Sequence, residues 1–310
     1  MRGFVASMLA ACAIIISACN SNNQVGLPPP GSTPPPQNPN LYVTSCSGTH
    51  FVNVYDPPFG ALTTPSISVP FPSGAVCTSS VLPLPNNLLA VGTFGSGWYI
   101  FQLPLTNSSA PIGHVTTPSD VGGFAVDASG NLIVSDHNNA QIDVFNPPFS
   151  SSSAFSVQFA SGSSPYTLAL DSSGKLFVGN CGSSTVTVFT PPFTNSTTPT
   201  ATISPPSGSC TEGIGVDVSG NLYVGNFGTN TVYIYNPPYS NSSLPVTTIA
   251  GGPSGTSEPA IFAFDHAGNV YIENYGANTI TAFTPPLSSA SVPLFTMPTE
   301  SQPFGMAFGP

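Results

Sequence analysis

"SGNLYVGNFGTNTVYIYNPPY", residues 219–239, holds two short apolar runs and the signals that bound them. The first run, Leu222, Tyr223 and Val224, follows a Ser-Gly-Asn triplet in which Gly220 supplies the positive φ of a tight hairpin turn. The second, Thr231 to Tyr235, follows a Gly/Asn turn and is apolar on both alternating sets of positions. A strand with two apolar faces belongs between two other sheets. Pro237 and Pro238 have no N–H to give to a ladder, so they end that strand.

The same succession recurs along the chain. It is read in "FAVDASGNLIVSDHNNAQIDVFNPPF" from Phe124, "LALDSSGKLFVGNCGSSTVTVFTPPF" from Leu168, "IGVDVSGNLYVGNFGTNTVYIYNPPY" from Ile214 and "FAFDHAGNVYIENYGANTITAFTPPL" from Phe262. The aligned Asp127, Asp171, Asp217 and Asp265 are 44, 46 and 48 residues apart. A looser copy, "LPLPNNLLAVGTFGSGWYIFQLPL" from Leu82, has Asn86-Asn87 at the turn. A sixth, "NPNLYVTSCSGTHFVNVYDPPF" from Asn38, lacks the strand that opens the others. Each unit decodes into an apolar strand before Asp, a turn, two further strands and a looser fourth, such as "PVTTIA" at 245–250.

Six four-stranded antiparallel sheets at a period near 45 predict an all-β, six-bladed β-propeller over residues 41–310. The chain ends in "PFGMAFGP", 303–310, which matches the missing opening strand, so the first blade is expected to be closed by both termini.

The repeats resemble the NHL and YVTN families of propeller repeats in "VDVSGNLYVGNFGTNTVYIYN" and its four close copies. Thr or Gln stands where NHL repeats carry Arg in the third strand, which brings the chain closer to YVTN, and the Pro-Pro-aromatic ending belongs to neither pattern. The resemblance implies fold and not activity, since these families include binding modules, surface-layer proteins and enzymes.

Residues 1–18 read as an export signal, with Arg2 before an apolar run. Ile16-Ser17-Ala18-Cys19 resembles the lipobox of bacterial lipoproteins, which implies an acylated Cys19 and a membrane anchor. Leu9-Ala10-Ala11-Cys12 fits the same pattern with a shorter apolar region. Residues 19–40 carry two proline triplets and no apolar periodicity, so they read as an extended tether reaching about 60 Å. The expected location is the bacterial cell envelope, outside the cytoplasm, periplasmic or at the surface.

With 2 Lys and Arg against 12 Asp and Glu, the chain has a net charge of −10. Such a surface repels a phosphate backbone, so nucleic acid is excluded as a partner. The chain is expected to be a monomer.

Cys46 and Cys181 share one repeat position, just after the second strand, while Cys77 and Cys210 lie in "PSG" segments leading into the next blade. In a propeller these loops adjoin on one face. Of the three connectivities four cysteines allow, Cys46–Cys77 and Cys181–Cys210 are expected; no Cys-x-x-Cys pair supports zinc.

Two sets of oxygen ligands are candidates on that face. Asp120, Glu212, Glu258 and Glu300 fall in the crossover loops before an innermost strand, and Asp136, Asn180, Asn226 and Asn274 end the second strand. Converging oxygens suit calcium, the one cofactor considered, and gluconolactonase-like propellers hold a divalent metal here with Glu, Asn and Asp. The segments "SDVGGF", "SSPYTL", "CTEGIG" and "SEPAIF" do not reproduce that ligand pattern. Asn and Asp also cap turns, which is the structural role open to the second set. The four His residues occupy unrelated repeat positions, and no Gly-x-Ser-x-Gly nucleophile occurs.

These observations lead to a membrane-tethered binding or scaffold module for a protein, glycan or other envelope component. The alternatives are a calcium-dependent, lactonase-like hydrolase and a passive coat or adhesive protein. No catalytic residue is assigned.

Overall fold

Each double proline falls where a third strand stops, and the strand pattern follows from that punctuation. The computed structural model describes residues 39–47, 50–72, 77–206, 210–251 and 255–309. The leader, Cys19 and all of the tether except Pro39 and Asn40 lie outside these residues. Blade 1 contains β1 (Leu41–Ser45), β2 (His50–Tyr55) and β3 (Ile67–Pro70). Blade 2 is β4 (Cys77–Leu84), β5 (Leu88–Phe94), β6 (Gly97–Gln102) and β7 (Gly113–Val115). Blade 3 is β8 (Val121–Val126), β9 (Leu132–Asp136), β10 (Gln141–Phe145) and β11 (Phe155–Ala160). Blade 4 is β12 (Pro165–Leu170), β13 (Leu176–Asn180), β14 (Thr185–Phe189) and β15 (Ala201–Ile203). Blade 5 is β16 (Ile214–Val216), β17 (Leu222–Asn226), β18 (Thr231–Tyr235) and β19 (Thr247–Ile249). Blade 6 is β20 (Pro259–Phe264), β21 (Val270–Asn274), β22 (Thr279–Phe283) and β23 (Phe295–Pro298).

The final strand, β24 (Pro303–Phe308), pairs with β1 from Leu41↔Phe308 to Ser45↔Pro303, so blade 1 is built from both ends of the described chain. The result is the six-bladed propeller that the repeats predict. Among the described residues no helix is long and apolar enough to cross a membrane.

Apolar side chains fill the seams between blades. The cluster of blades 4 and 5 joins Phe177, Val186 and Val188 to Ile214, Val224 and Tyr235, and equivalent clusters occupy the other seams. The second strands are buried along their whole length in blades 1, 3, 4, 5 and 6, which is why they read as continuous apolar runs. Trp98 wedges blade 2 against blade 3, with Phe145 5.5 Å away and edge-on.

A polar layer runs through the outer half of every blade. The register places Asn53 opposite Ser68, Tyr99 opposite His114, Asp143 opposite Gln158 and Thr281 opposite Thr296. These pairs meet across the strands, by hydrogen bonds of 2.7 Å in blade 1, 2.8 Å in blade 3 and 3.2 Å in blade 6, and in blade 2 by ring stacking at 4.1 Å.

The outermost strands meet the edge problem in a repeated way. The loop after the prolines offers Asn107, Asn195 or Asn241 to a backbone N–H of the preceding blade's outer strand, at Ser68, Gln158 and Thr202. An edge N–H capped from the neighbouring blade is closed to pairing with another chain.

Candidate functional site

Strand direction gives the disc two unlike faces. The bottom carries the first hairpins and the proline loops. The top carries the turns after each second strand and the crossovers between blades.

On the bottom, the repeated Asp is a turn former. Asp217 Oδ1 accepts from the backbone N–H of Ser219 at 2.9 Å and Asn221 at 2.8 Å, and Oδ2 accepts from the Asn221 side chain at 2.8 Å. Asp127 and Asp265 repeat all three bonds, and Asp171 repeats the two backbone bonds. Gly130, Gly174, Gly220 and Gly268 take φ between 79 and 81° in these turns.

On the top, the backbone is equally regular. In blades 1, 3, 4, 5 and 6 the residue after the second strand donates its N–H to a crossover carbonyl: Cys46 to Gln302, His137 to Asp120, Cys181 to Ser164, Phe227 to Cys210 and Tyr275 to Glu258. Cys46 and Cys181 are thus bonded to the crossover entering their own blade, while Cys77 and Cys210 lie on the other side, where the chain passes to the next blade. The structure joins Cys46 to Cys77 and Cys181 to Cys210, closing loops of 31 and 29 residues and stapling blade 1 to blade 2 and blade 4 to blade 5.

The side chains at this same position diverge, and they pave the channel mouth. Phe94 ends the second strand of blade 2, and His137, Phe227 and Tyr275 follow those of blades 3, 5 and 6. Blades 1 and 4 have cysteine there, and the ring comes instead from the innermost strand, as Phe304 and Tyr166. Each blade thus contributes one ring. Phe94, Tyr166 and Phe304 form a triangle with centroids 5.6 to 6.0 Å apart. His137 lies 4.7 Å from Tyr166, and Tyr275 bridges Phe304 and Phe227 at 5.4 Å each.

Below this floor the axis holds a cavity of about 30 Å³ among the six innermost strands, room for a water and little more. A ligand at this face therefore meets a floor of rings rather than an open channel.

The first carboxylate set divides. Glu212 lies beside the bridged Cys181 and Cys210, its carboxylate within 4.8 Å of their sulfurs. One oxygen, Oε2, is buried without a hydrogen-bond partner. Burial, then the charge of Glu258, pushes the Glu212 carboxyl up to about 7. Burial first, then Glu212 and Glu258, raises the Tyr275 hydroxyl, while Tyr166 is raised by burial, Glu212, Tyr275 and Asp120. These side chains share one electrostatic environment.

Asp120 is already engaged, accepting from the Gly95 N–H and the Asn138 side-chain amide. Glu300 is felt instead at Tyr55, whose hydroxyl is raised by burial and then by Glu300 and Glu273.

The second set is engaged within the fold, Asp136 and Asn226 as turn caps and Asn180 and Asn274 as buried side chains bonded to the sheet. Asp136 accepts from the Asn139 backbone and side chain at 3.2 and 2.8 Å, and Asn226 accepts from Thr229 N at 3.2 Å. Asn180 and Asn274 are fully buried, with side-chain amides that donate to strand carbonyls and to Thr187 and Thr281 at 3.1 and 2.9 Å. Calcium takes six to eight oxygens. Of the acidic groups this face could offer, Asp120 and Asp136 already accept hydrogen bonds within the fold, while Glu212 and Glu258 stand close enough for the charge of one to act on the other.

The aromatic floor is what sequence reading missed. Its signal lies in the alignment column Cys46, Phe94, His137, Cys181, Phe227, Tyr275, where four of the six residues are rings. Glu273 was missed as well. It stands where other blades have Thr44, Gly92, Ser135, Gly179 and Gly225, in a layer where a Cβ on Gly225 would already run into the Pro259 carbonyl. At 0% exposure its carboxyl oxygens lack a well-formed hydrogen bond, although the Gly305 backbone faces them, and burial drives its pKa well above the usual carboxylate range.

No family model matches the chain, and a search of curated proteins finds no match. Solved structures do resemble it. A protein of unknown function from Bacteroides caccae has a TM-score of 0.63 at 11% identity, over 87% of this chain and 98% of its own. A 6-phosphogluconolactonase candidate from Bacteroides uniformis has 0.63 at 14%, over 88% and 100%. The periplasmic gluconolactonase of Pseudomonas aeruginosa has 0.60 at 14%, over 88% and 99%. At these identities the likeness is one of fold.

Proposed function

We propose that this chain is an extracytoplasmic binding propeller, lipid-tethered through Cys19 and residues 19–40, whose top face takes a neutral sugar of the bacterial envelope. The observation that carries this reading is the floor of six rings, one per blade, bordered by Glu212 and Glu258. The C–H face of a sugar packs against aromatic rings, and its hydroxyls donate to carboxylates. Anionic ligands are disfavoured, because Lys175, the one Lys or Arg among the described residues, sits in a bottom hairpin. Two disulfides suit an oxidising compartment.

Titration calorimetry with neutral envelope oligosaccharides tests the proposal. Tyr166→Ala and Tyr275→Ala are each expected to weaken binding at least ~10-fold, about 1.4 kcal/mol. Affinity unchanged in both variants, or ordered self-assembly without any sugar, overturns it in favour of another face or of a passive coat.

A second reading has its own observation. Glu212, held near neutrality beside a second carboxyl, is suited to take a proton from a water attacking a lactone carbonyl, and gluconolactonases are among the structural neighbours. Turnover of a neutral aldonolactone that Glu212→Gln abolishes supports hydrolysis; wild-type rates at the uncatalysed background remove it.

A further inference from the structure

We infer that the bottom face of the disc rests on a lipid surface, so that the ring-paved top points away from the membrane. The eight large apolar side chains that stand exposed among the described residues are Leu62, Ile112, Phe155, Val218, Leu244, Val246, Val292 and Leu294. All eight lie at the bottom of their blades. Val218 is in the β16–β17 hairpin, Phe155 opens the fourth strand β11, and the other six lie between the third-strand prolines and the start of the fourth strand.

Leu62, Val292 and Leu244 are 93%, 77% and 76% exposed, and five of the eight belong to blades 5 and 6. In that sector a cleft of about 470 Å³, walled in part by Val246 and Pro285-Pro286, opens on the same face. Scattered exposed aliphatics are ordinary on a protein surface; their confinement to one face is not.

The place where the chain enters the disc identifies the occupant. β1 begins at the bottom with Leu41, where Gly309 N donates to Asn40 O at 2.8 Å, so the tether joins the propeller on the apolar face. The inference rests on the tether proposed above for what brings this face to a bilayer. Attachment at one point does not by itself decide which face of the disc meets the bilayer. The apolar rim decides it by burying side chains at the headgroup boundary, a second attachment beside the acyl chains.

The charge of the face sets the lipid. Asp127, Asp171, Asp217 and Asp265 lie here with only Lys175 to offset them, so zwitterionic headgroups are accepted and anionic ones repelled.

Because the propeller closes on itself through β1 and β24, the test uses residues 20–310 bearing an N-terminal hexahistidine tag on phosphatidylcholine vesicles doped with nickel-chelating lipid. Leu244→Trp and Thr229→Trp place a probe on the bottom and top faces, and quenching by brominated phosphatidylcholine is read. Quenching at position 244 is expected to exceed that at 229 by at least ~3-fold, and to fall when Leu62→Ser and Val292→Ser are added or phosphatidylglycerol is mixed in. Equal quenching at both positions, or none at 244, overturns the orientation. Intact-mass analysis of the full chain from its native host separately reports acylation of Cys19, so a failure of the natural anchor is not confused with a failure of the apolar rim.

Discussion

The two faces of the disc are built from the same repeats and treat them in opposite ways. At the bottom hairpins of blades 3 to 6, Asp127, Asp171, Asp217 and Asp265 each accept two backbone N–H groups at distances between 2.8 and 3.0 Å. At the top, one position reads Cys, Phe, His, Cys, Phe and Tyr around the ring. Where the backbone needs a particular side chain the copies agree. Where the backbone needs none they are free to diverge, and that freedom is where a ligand site can be built.

Breaking the top-face staples gives the largest expected effect. Replacing Cys181 and Cys210 together by serine releases a closure of 29 residues and is expected to cost about 3–4 kcal/mol in denaturant unfolding. An unchanged midpoint shows that the seam of blades 4 and 5 holds without its bridge. Next comes Asp217→Ala, which orphans two backbone N–H groups and the Asn221 amide and is expected to cost about 1–3 kcal/mol. Sugar affinity in that variant stays within about 2-fold, since a bottom turn does not meet a top-face ligand; a larger loss merges the two faces. Tyr275→Ala is the mirror experiment, with at least ~10-fold weaker binding and about 1 kcal/mol or less in stability. Stability lost without affinity makes that ring structural.

The smallest effect is a pH dependence set by buried carboxyls away from the bottom hairpins. Asp143, raised by burial to about 6 despite the Gln158 bond, Glu212 at about 7 and Glu273 well above normal all hold protons more tightly folded than unfolded. Their contribution is complete below the unfolded carboxylate range and is lost as pH rises through about 6 to 7 and beyond. The melting temperature is therefore expected to be a few °C higher at pH 5 than at pH 8, and Glu273→Gln is expected to flatten the slope at the alkaline end. A midpoint that rises steadily from pH 5 to 8 contradicts this.

The architecture was legible because it is enforced locally. Gly220 and its equivalents, the Asp turns and the double prolines each specify a break, and the apolar runs between them have strand length. The disulfide pairing was legible because the propeller's winding places Cys46 near Cys77 and Cys181 near Cys210. The site was legible only as a face. Asp120 and Glu258 precede their strands alike, whereas Glu212 and Glu300 stand at other offsets, and no spacing rule reveals that Glu300 is felt at Tyr55 while Glu212 is felt at Tyr275. The exchange that puts Tyr166 and Phe304 opposite cysteines is a packing relation between different strands, so it emerges only when the blades are closed into a ring.

The most direct test is to label the protein with 3-fluorotyrosine and follow its fluorine spectrum while a neutral envelope oligosaccharide is added. Tyr166 and Tyr275, on the top floor, are expected to shift with the titration, while Tyr223, Tyr239 and Tyr271, tied to the bottom hairpins, stay in place. Movement confined to the bottom tyrosines, or a spectrum unaltered at saturating sugar, contradicts the assignment of the ring-paved top face as the binding site.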